Sequence, residues 1–494
     1  DDTVYHQQRI GRLPGCSRPN GSVSEDRRRH DRHTTRGSQG RNATDTNPRI
    51  ERLRIGVVEC EDTFRRSIAV IGSGVAGLTA AYVLSDRQRV TLFEADTRLG
   101  GHAHTHYVDD GDGNLVGIDS AFLVHNDRTY PTLCRLFADL GIAMRETDMS
   151  MSVRDDDSGL EYAGARGIGG LFPSWSSLAR PRYLLMLAEI GRFHRAATQL
   201  LDDESAGDGQ PLEEFVERHR FSGYFVEHFM TPLVAAVWSC APGEAMRYPA
   251  RYLFVFLQHH GMLSVFGSPT WRTVVDGSAT YVNAIAERVH EIAAGTPVRS
   301  VRRVPDGVLV TAGDGKPRRF DAAVIATHPD QALLMLADPT AAERSVLGAI
   351  PYSTNHAQLH TDVSVLPRRP RARASWNYLV PSGADEAADV LVTYDVSRLM
   401  RLTGPRRFMV TLGGRDVVDP ASVITEMIYQ HPRYTPESVA AQRLLPKLDD
   451  DRIVFAGAYH GWGFHEDGAA SGVRAAGRLG AEWPATRRLQ AVVA

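Results

Sequence analysis

The sequence is poor in cysteine and contains no long hydrophobic run. Its four cysteines are Cys16, Cys60, Cys134 and Cys240, which form neither a CxxC pair nor a metal-ligand spacing. They predict reduced thiols of a cytoplasmic protein and exclude a disulfide framework. No stretch of about 18 apolar residues occurs, so we expect no membrane-spanning helix. Internal repeats are lacking too, which argues against a solenoid or propeller architecture.

A strong charge of either sign is also missing. The formal net charge of the 494 residues is −3, which gives no reason to expect a nucleic-acid partner. A chain of this length can form two domains with a large core. The overall composition is that of an ordinary globular protein.

The first 66 residues differ from the rest of the chain. They contain 14 arginines, many other polar residues and little apolar periodicity, which predicts a disordered Arg-rich extension over residues 1–66. A basic targeting arm is the alternative interpretation. Acidic residues are scattered through this segment and no apolar signal core occurs, so an upstream extension without a role is favoured.

Residues 67–101 carry the strongest pattern in the chain. An apolar run at 67–71 predicts a buried strand, a helical pattern follows from residue 78, and a β-rich run at 89–93 ends on Glu94. The strand and the helix are joined by the GxGxxG sequence Gly72-Ser73-Gly74-Val75-Ala76-Gly77. A strand–glycine turn–helix–strand unit that ends on an acidic residue predicts a dinucleotide-binding fold.

Each part of this fingerprint has a physical role. Gly72 makes the tight turn, Gly74 lets the backbone approach a pyrophosphate, and Gly77 lets the helix pack closely on the strand. The N-terminus of the helix offers free N–H groups and a positive dipole end to the phosphates. The carboxylate of Glu94 can accept hydrogen bonds from a ribose.

The residues after Glu94 discriminate between dinucleotides. The string Ala95-Asp-Thr-Arg98-Leu-Gly100-Gly101-His102 places an arginine that can return to the pyrophosphate, and a glycine pair that lets the backbone pass beneath a second, bulky part of the cofactor. His102 is expected beside the flavin or the pyrophosphate. The string resembles glutathione-reductase-like flavoproteins and, among them, the amine oxidase and phytoene desaturase superfamily. This resemblance implies FAD as the cofactor.

Further segments share the resemblance. Residues 116–131 look like the segment that passes the flavin ring, and 296–301, which includes Val298, look like the strand that meets the adenine. Residues 320–327 resemble the strand that returns under the cofactor domain. Residues 453–472, with Gly457 and Gly468, resemble the C-terminal flavin motif, in which a helix N-terminus stabilises the negative charge of a reduced flavin.

The resemblance covers about residues 67–480. It is nearest to a bacterial and plant group of NAD/FAD-binding amine-oxidase-like proteins that accompany cyclopropane-fatty-acid-synthase-like methyltransferases. It implies an α/β fold, in which a glutathione-reductase-like Rossmann FAD-binding domain carries an inserted α+β substrate domain. The expected ranges are 67–148, 272–335 and 445–485 for the FAD-binding domain, and 149–271 and 336–444 for the substrate domain.

Three departures from the superfamily pattern matter. In the segment that resembles the flavin-facing one, Asp119 is followed by Ser120 and Ala121, where a glycine is more usual. Gly457 is followed by Ala458, where many members have an acidic residue that holds the ribityl chain of the flavin. The sequence also shows no clear counterpart of the lysine that amine oxidases place near the flavin through a water. Amine oxidation by that route is therefore disfavoured.

Three side chains are candidates for a catalytic role. Trp376 and Asn377, on a sheet expected to roof the flavin, could supply an aromatic wall and an amide donor, or could be ordinary sheet core. His465 lies in the C-terminal motif and could face the active site. The alternation of His102, His104 and His106 invites a metal hypothesis, but we expect no metal because these residues directly follow the glycine pair.

The middle of the chain predicts a helical substrate region. The expected helices are Tyr183–Leu201, Leu212–His219, Tyr224–Val237 and Tyr252–His260. The aromatic residues between Tyr224 and Phe266 could line a pocket for a long apolar substrate or could pack a helical core. The Asp155–Gly159 segment is expected to be a solvated turn.

The sequence therefore predicts an FAD-dependent oxidoreductase. It would transfer a hydride between the flavin and a C–H or C=C centre of an apolar substrate, and the family context suggests a fatty-acyl or other lipid. A flavin-dependent isomerase or mutase is one alternative, and a non-enzymatic lipid carrier is a second, which the complete FAD fingerprint disfavours. An NAD(P)H or protein redox partner and peripheral membrane contact both remain open.

Overall fold

A computed structural model describes residues 65–203, 207, 209–263, 267–383 and 390–483. Residues 1–64 of the predicted extension and Phe266 of the predicted pocket lie outside this part of the chain. Arg66 belongs to the folded protein, because its guanidinium donates to the carbonyls of Leu479 and Asp451 at 3.2 and 3.3 Å. None of the helices in the described ranges combines the length and apolar character needed to cross a membrane.

The strands are short, and their labels follow chain order. They are β1 Ser67–Ile71, β2 Arg89–Phe93, β3 Thr105–Asp109, β4 Leu115–Asp119, β5 His125–Asn126, β6 Met144–Glu146, β7 Met151–Asp155, β8 Leu160–Gly164, β9 Trp271–Val274, β10 Glu291–Ala293, β11 Val298–Val304, β12 Gly307–Ala312, β13 Pro317–Phe320, β14 Ala322–Ile325, β15 Tyr352–His360, β16 Trp376–Val380, β17 Val392–Asp395, β18 Met409–Leu412, β19 Val423–Pro432 and β20 Ile453–Phe455.

The helices are labelled in the same way. They are α1 Val75–Leu84, α2 Pro131–Leu140, α3 Gly167–Leu171, α4 Trp175–Leu178, α5 Pro181–Asp202, α6 Leu212–Arg218, α7 Gly223–Phe225, α8 Thr231–Trp238, α9 Pro242–Ala245, α10 Ala250–His259, α11 Ala279–Ala286, α12 Pro329–Met335, α13 Ala341–Leu347, α14 Val396–Leu399, α15 Pro436–Gln442 and α16 His465–Arg478.

A five-stranded parallel sheet forms the centre of the cofactor half, in the order β10-β2-β1-β14-β20. Successive side chains of a strand point to opposite faces, and both faces of a parallel sheet are covered. In β1, Ile68 and Val70 pack on the side of α1 and α16, while Ala69 and Ile71 pack on the side of β11 to β13. Because both faces of β1 are covered, its sequence is a continuous apolar run.

A seven-stranded mixed sheet forms the second half, in the order β19-β15-β18-β17-β16-β7-β8. Neighbouring strands are antiparallel except β16 and β7, which pair in parallel. All of its strands come from the ranges expected for the substrate domain, and all strands of the parallel sheet come from those expected for the FAD-binding domain. The described residues from 65 onwards nevertheless belong to one compact unit. The α/β fold class is confirmed, whereas the domain boundaries stay predictions.

Three small sheets complete the strand pairing among the described residues. The strands β3 and β4 form a hairpin, β5 and β6 both pair with β9, and β11 to β13 form an antiparallel meander. The meander leads the chain into β14. The helix α2 ends at Gly141, whose φ is 70°.

One predicted helix is interrupted. The periodicity of residues 224–237 predicted a single helix, but the chain forms α7, a π-helical turn at Val226–Met230, and then α8. Pro232 follows that turn and lacks the N–H that a continuous α-helix needs at its position. The imidazole of His228, in this turn, pairs with Asp155 at 2.9 Å. The pattern of apolar residues alone could not show this break.

Candidate cofactor and substrate site

One large cavity lies at the carboxyl edge of the parallel sheet. Its volume is about 1250 Å³, which exceeds the range of roughly 300–1,000 Å³ usual for a pocket that holds a single small ligand. The residues that follow four of the strands line it, namely Gly72 after β1, Glu94 after β2, Ala326 after β14 and Gly457 near β20. Ligands of open α/β sheets bind at this edge, where the direction of strand order reverses.

The glycines of the first turn have the geometry that their spacing predicts. Gly72 has φ of +98°, and a Cβ at Gly77 would lie 1.8 Å from the carbonyl oxygen of Gly72. A Cβ at Gly74 would meet no protein atom within 4 Å, because it would point into the cavity. Gly101 packs over Gly74, with 3.0 Å between its notional Cβ and the Gly74 Cα. The turn therefore leaves room for a phosphate group at the backbone of Gly74.

The N-terminus of α1 faces the same space. Gly74 is its N-cap residue and supplies no side-chain cap, while Ser73, Val75 and Ala76 line the cavity. The free N–H groups of this first turn and the positive end of the helix dipole suit an anion. These features fit the pyrophosphate of a dinucleotide.

Glu94 is held in place by local contacts. Its Oε2 accepts hydrogen bonds from the backbone N–H and the hydroxyl of Ser73, at 2.8 and 2.6 Å, and its Oε1 accepts from the N–H of Asp96 at 2.9 Å. Glu94 and Ala95 line the cavity. The carboxylate is thereby fixed at the end of β2, where a ribose would lie beside it.

Arg98 is engaged by the turn that follows it. Its guanidinium donates to the carbonyl oxygens of Leu99, Gly101 and Ala103, at 3.2, 3.0 and 3.3 Å, and it does not line the cavity. Arg98 instead stabilises the turn at Gly100, whose φ of +112° is available to glycine. Nη1 makes all three of these hydrogen bonds, and the expected return of Arg98 to the pyrophosphate stays a prediction.

The segment expected to meet the adenine reaches the cavity. Thr296, Pro297, Val298 and Arg299 all line it, at the start of β11. Arg299 and Glu94 are the charged residues among the described side chains that line this cavity. Both lie at the end that the fingerprint assigns to the nucleotide.

The start of α16 forms the opposite part of the cavity. His465 lines the cavity and stacks on Phe122 with ring centroids 3.8 Å apart, and its Nε2 has no hydrogen-bond partner. Gly457 lines the cavity too. Gly468 does not, because it serves helix packing: a Cβ there would lie 2.6 Å from Cγ1 of Val75 in α1. The expected position of His465 at the active site stays a prediction that this geometry supports.

The two acidic residues after His465 point elsewhere. Glu466 accepts hydrogen bonds from the N–H groups of Thr132 and Leu133, each at 3.0 Å, and so caps α2. Asp467 accepts from the N–H of Phe464 at 2.9 Å, and burial raises its pKa to about 7. The first turn of α16 thus contributes one side chain to the cavity and two carboxylates that accept backbone N–H groups.

Six imidazoles line the cavity among the described residues, namely His102, His194, His260, His328, His431 and His465. Burial lowers the pKa of each of them. The lowered values are about 4 for His431 and about 3 for His465. Nε2 of His102 and Nδ1 of His328 are buried without a partner. These rings are neutral near pH 7 and leave polar atoms free to meet a polar ring system such as a flavin.

His431 was not identified from the sequence. His431 follows Gln430 near the end of β19, and its Nδ1 pairs with Asn355 at 2.9 Å. Tyr459 and Trp462, also missed, line the cavity with a hydroxyl and an indole N–H that have no partner. Their loop is adjacent in the sequence to the C-terminal glycine motif. That proximity is the sequence feature from which they could have been predicted to line the cavity.

Trp376 and Asn377 have different surroundings. Trp376 lines the cavity, its indole N–H is unpartnered, and its ring meets Tyr394 edge to face at 5.2 Å. Asn377 points into the sheet, where its amide donates to the carbonyls of Ala374 and Thr393 and accepts from Ser152. The suggestion of an amide donor over the flavin is therefore wrong for Asn377, because the carbonyls of Ala374, just before β16, and Thr393, on β17, occupy its donors.

The cavity continues into an apolar chamber between the mixed sheet and the helices. Its walls are aliphatic and aromatic side chains from both, including Met149, Met151, Val153, Leu171, Ile190, Phe229, Leu233, Val237, Phe256 and Tyr394. The aromatic region predicted either to line a pocket or to pack a core does both. Phe229 and Phe256 reach the chamber, whereas Phe225 and Phe254 are fully buried in the helical core.

The described residues bear on the metal hypothesis and on the predicted solvated turn. No group of three metal-ligating side chains occurs within the described ranges. His104 and His106 form hydrogen bonds with Tyr429 and Ser120, at 2.9 and 2.8 Å. The expectation of a solvated turn is wrong for Asp155, which is 5 % exposed and pairs with His228.

Comparisons with known proteins agree with this geometry. The carotenoid φ-ring synthase of Streptomyces griseus is 28 % identical over 281 residues, which are 53 % of this chain and 52 % of that protein. The cyclohexylamine oxidase of Brevibacterium oxydans superposes with a TM-score of 0.61 at 17 % identity, over 84 % of this chain and 98 % of that one. The CLA-producing fatty acid isomerase of P. acnes gives a TM-score of 0.60 at 16 % identity, over 83 % and 97 %.

The match to the synthase spans about half of its length, and the two solved structures show a shared fold. The family described as flavin containing amine oxidoreductase matches residues 75–480, which is most of the chain. FAD is the cofactor that this family implies, and the glycine turn, the unpartnered polar atoms and the size of the cavity fit it. The chain belongs to the flavin-containing amine oxidoreductase family.

Proposed function

We propose that the protein is an FAD-dependent oxidoreductase that acts on an apolar substrate, of the fatty-acyl or another lipid class. The observation that carries the proposal is the continuity of the cavity, which runs from the glycine turn past His102 and His465 into the apolar chamber. Bound FAD would supply the hydride chemistry, so the protein needs to orient the substrate and exclude water.

The electrostatics of the chamber support a neutral substrate. Beyond Glu94 and Arg299 at the nucleotide end, the described lining of the cavity carries no carboxylate and no cation. A protonated amine would lose its hydration there without gaining a counter-charge, which is costly. A hydrocarbon chain has no such cost and gains free energy from burial.

The positions of the lysines also support a substrate that is not an amine. The chain has two, Lys316 and Lys447, and both are exposed and do not line the cavity. The lysine that amine oxidases place near the flavin therefore has no counterpart in this cavity. This supports a C–H or C=C centre as the reacting group in preference to an amine.

The cofactor would be held by residues from both halves of the cavity. We assign Gly72, Ser73, Gly74, Val75 and Ala76 to the pyrophosphate. Glu94, Ala95 and Val298 are assigned to the adenosine, and Gly101, His102 and Gly457 to the flavin half. Gly77 and Gly468 allow the close packing of α1, Gly100 permits the turn, and Arg98 holds that turn through its carbonyls. Trp376 and His465 face the chamber and would position the substrate.

The first test is spectroscopic. Purified protein should carry the visible absorbance of bound flavin, and anaerobic addition of a lipid extract or NADPH should bleach it. A flavin that no donor reduces would contradict the oxidoreductase. An extract that is altered while the flavin stays oxidised would instead identify an isomerase, a chemistry that the fold also hosts in the fatty acid isomerase named above.

The substrate is identified by a separate comparison. Lipids from cells with and without the protein are analysed by mass spectrometry, with a Trp376→Ala variant as the third sample. We expect a lipid pair that differs by two hydrogens to change in ratio with the active protein, and to change less with the variant. An unchanged lipid profile, together with turnover of an amine, would overturn the assignment of the substrate class.

A further inference from the structure

We propose that an exposed apolar face beside the substrate chamber docks the protein on an anionic lipid bilayer. The face, called here the α3–α5 face, comprises Ile168, Trp175, Leu178, Leu184 and Leu185. Their exposed fractions are 80, 88, 48, 40 and 55 %. Large apolar side chains clustered at this exposure mark an interaction surface on a globular protein.

The three helices form one continuous surface. The hydroxyl of Tyr183, in the first turn of α5, donates to the carbonyl of Leu171 at the end of α3, at 2.7 Å. The rings of Phe172 and Tyr183 meet edge to face at 6.1 Å, and α4 packs against α5. Tyr183 and Met186 are fully buried beneath them. The helices are thus fixed from below while Trp175 and its neighbours project outwards.

The charges around the face select an anionic partner. Residues 162–188 contain no acidic residue and include Arg180, Arg182 and Arg166, the last of which is paired with Asp148 at 3.0 Å. Arg182 is exposed, and so is Arg371, on the short helical turn at Pro370–Ala372 that packs against α3. Tryptophan and aliphatic side chains flanked by arginine are the composition that binds the interface of a bilayer with anionic lipids.

The face also borders the mouth of the chamber. Ala165 and Gly167 are exposed and at the same time line the cavity, and Leu171 lines it further inside. A lipid could therefore pass from a docked bilayer into the chamber without crossing water. This last link rests on the proposed function, whereas the docking itself follows from the exposed residues.

A protein partner explains the surface less well. A second copy of the chain would have to offer carboxylates opposite Arg182 and Arg371, and the face itself supplies none between residues 162 and 188. A self-complementary contact would thus place arginine against arginine. A bilayer containing anionic headgroups meets both the apolar and the basic side chains at once.

The test is vesicle binding by the full chain saturated with FAD. Sedimentation with phosphatidylcholine vesicles is compared with sedimentation with vesicles that also contain phosphatidylglycerol. We expect binding to the anionic vesicles, weakened by added salt. The double variant Ile168→Ser and Trp175→Ser should bind about tenfold more weakly. The double variant Arg182→Gln and Arg371→Gln should lose the preference for anionic vesicles.

Leu115→Ser is the matched control, because Leu115 is 74 % exposed on β4, away from the α3–α5 face. It should bind like the unaltered protein. Flavin content and thermal unfolding verify that each variant is folded. The proposal is overturned if the unaltered protein ignores anionic vesicles or if the apolar double variant binds equally well. It is also overturned if those substitutions abolish a dimer, seen by light scattering, and leave vesicle binding intact.

Failure of docking is distinguishable from failure of the proposed function. Vesicle binding does not depend on reduction of the flavin, and reduction by a detergent-dispersed lipid does not depend on vesicles. A protein that reduces its flavin but ignores vesicles would refute the docking face alone. A protein that binds vesicles but whose flavin no donor reduces would refute the oxidoreductase alone.

Discussion

At the residue scale, glycines of the same motif have different physical roles. Gly74 lies at the cavity, where an added Cβ would meet no protein atom within 4 Å, while Gly77 lies against the backbone of Gly72. The first residue therefore matters for the ligand and the second for the fold. Sequence spacing assigns these roles, and the local geometry agrees with them.

Gly74→Val should remove FAD from a protein that still folds. The added side chain would occupy the space assigned to the pyrophosphate, and we expect the affinity for FAD to fall by more than about tenfold, or ~1.4 kcal/mol. Flavin absorbance and circular dichroism measure the two effects. Gly77→Ala is the contrasting variant and should lose roughly 1–3 kcal/mol of folding stability, because its Cβ overlaps a backbone carbonyl. A Gly74→Val protein that retains its flavin would contradict the placement.

At the element scale, helix ends determine how the cofactor half is assembled. The N-terminus of α1 has no side-chain cap and faces the cavity, whereas the N-terminus of α2 is capped from a distance by Glu466 in α16. The close approach of α1 and α16 at Gly468 completes the packing. The uncapped first turn of α1 thus faces the ligand site, and the capped first turn of α2 joins two helices.

Glu466→Gln should destabilise the protein without affecting the cofactor. The carboxylate accepts two N–H groups at the positive end of α2, so its replacement should cost about 1 kcal/mol of unfolding free energy. Urea unfolding measures this cost, and flavin titration should show an unchanged affinity. Glu287→Gln is the matched control on an exposed helix end, with no expected change. Equal stabilities for the two variants would show that the cap contributes nothing.

At the scale of the whole molecule, buried imidazoles make stability depend on pH. Burial lowers the pKa of His125, His260 and His360 to about 4 each, from an ordinary 6.5. Between these values the unfolded chain binds more protons than the folded one. The free energy of unfolding therefore decreases as pH falls from 6.5 towards 4, and these groups leave it unchanged above 6.5.

His125→Phe should reduce this pH dependence. His125 is fully buried beside Phe137 and Tyr130, so a phenyl ring fits its surroundings and removes one titrating group. We expect the slope of unfolding free energy against pH to decrease by up to ~1.4 kcal/mol per pH unit, which corresponds to one proton. Urea unfolding at pH 4.5, 5.5 and 7 measures the slope. An unchanged slope would show that His125 does not titrate in this range.

The sequence by itself determined the cofactor half. The glycine turn, Glu94 and the apolar runs of β1 and β2 are contiguous in the chain, and their chemistry depends on backbone geometry that a short segment can encode. Family resemblance then supplied the fold and FAD, although it left the substrate open.

Only the tertiary structure decided which side chains meet. The sequence could not show that turn carbonyls engage Arg98 or that nearby backbone carbonyls occupy the amide of Asn377. It also could not show that a π-helical turn interrupts the helix predicted at 224–237. The sequence also did not show that His102, His328, His431 and His465 converge. It did not show that Trp175 is exposed beside the chamber. The reason is physical, because the partner and the solvent exposure of a side chain are set by residues far away along the chain.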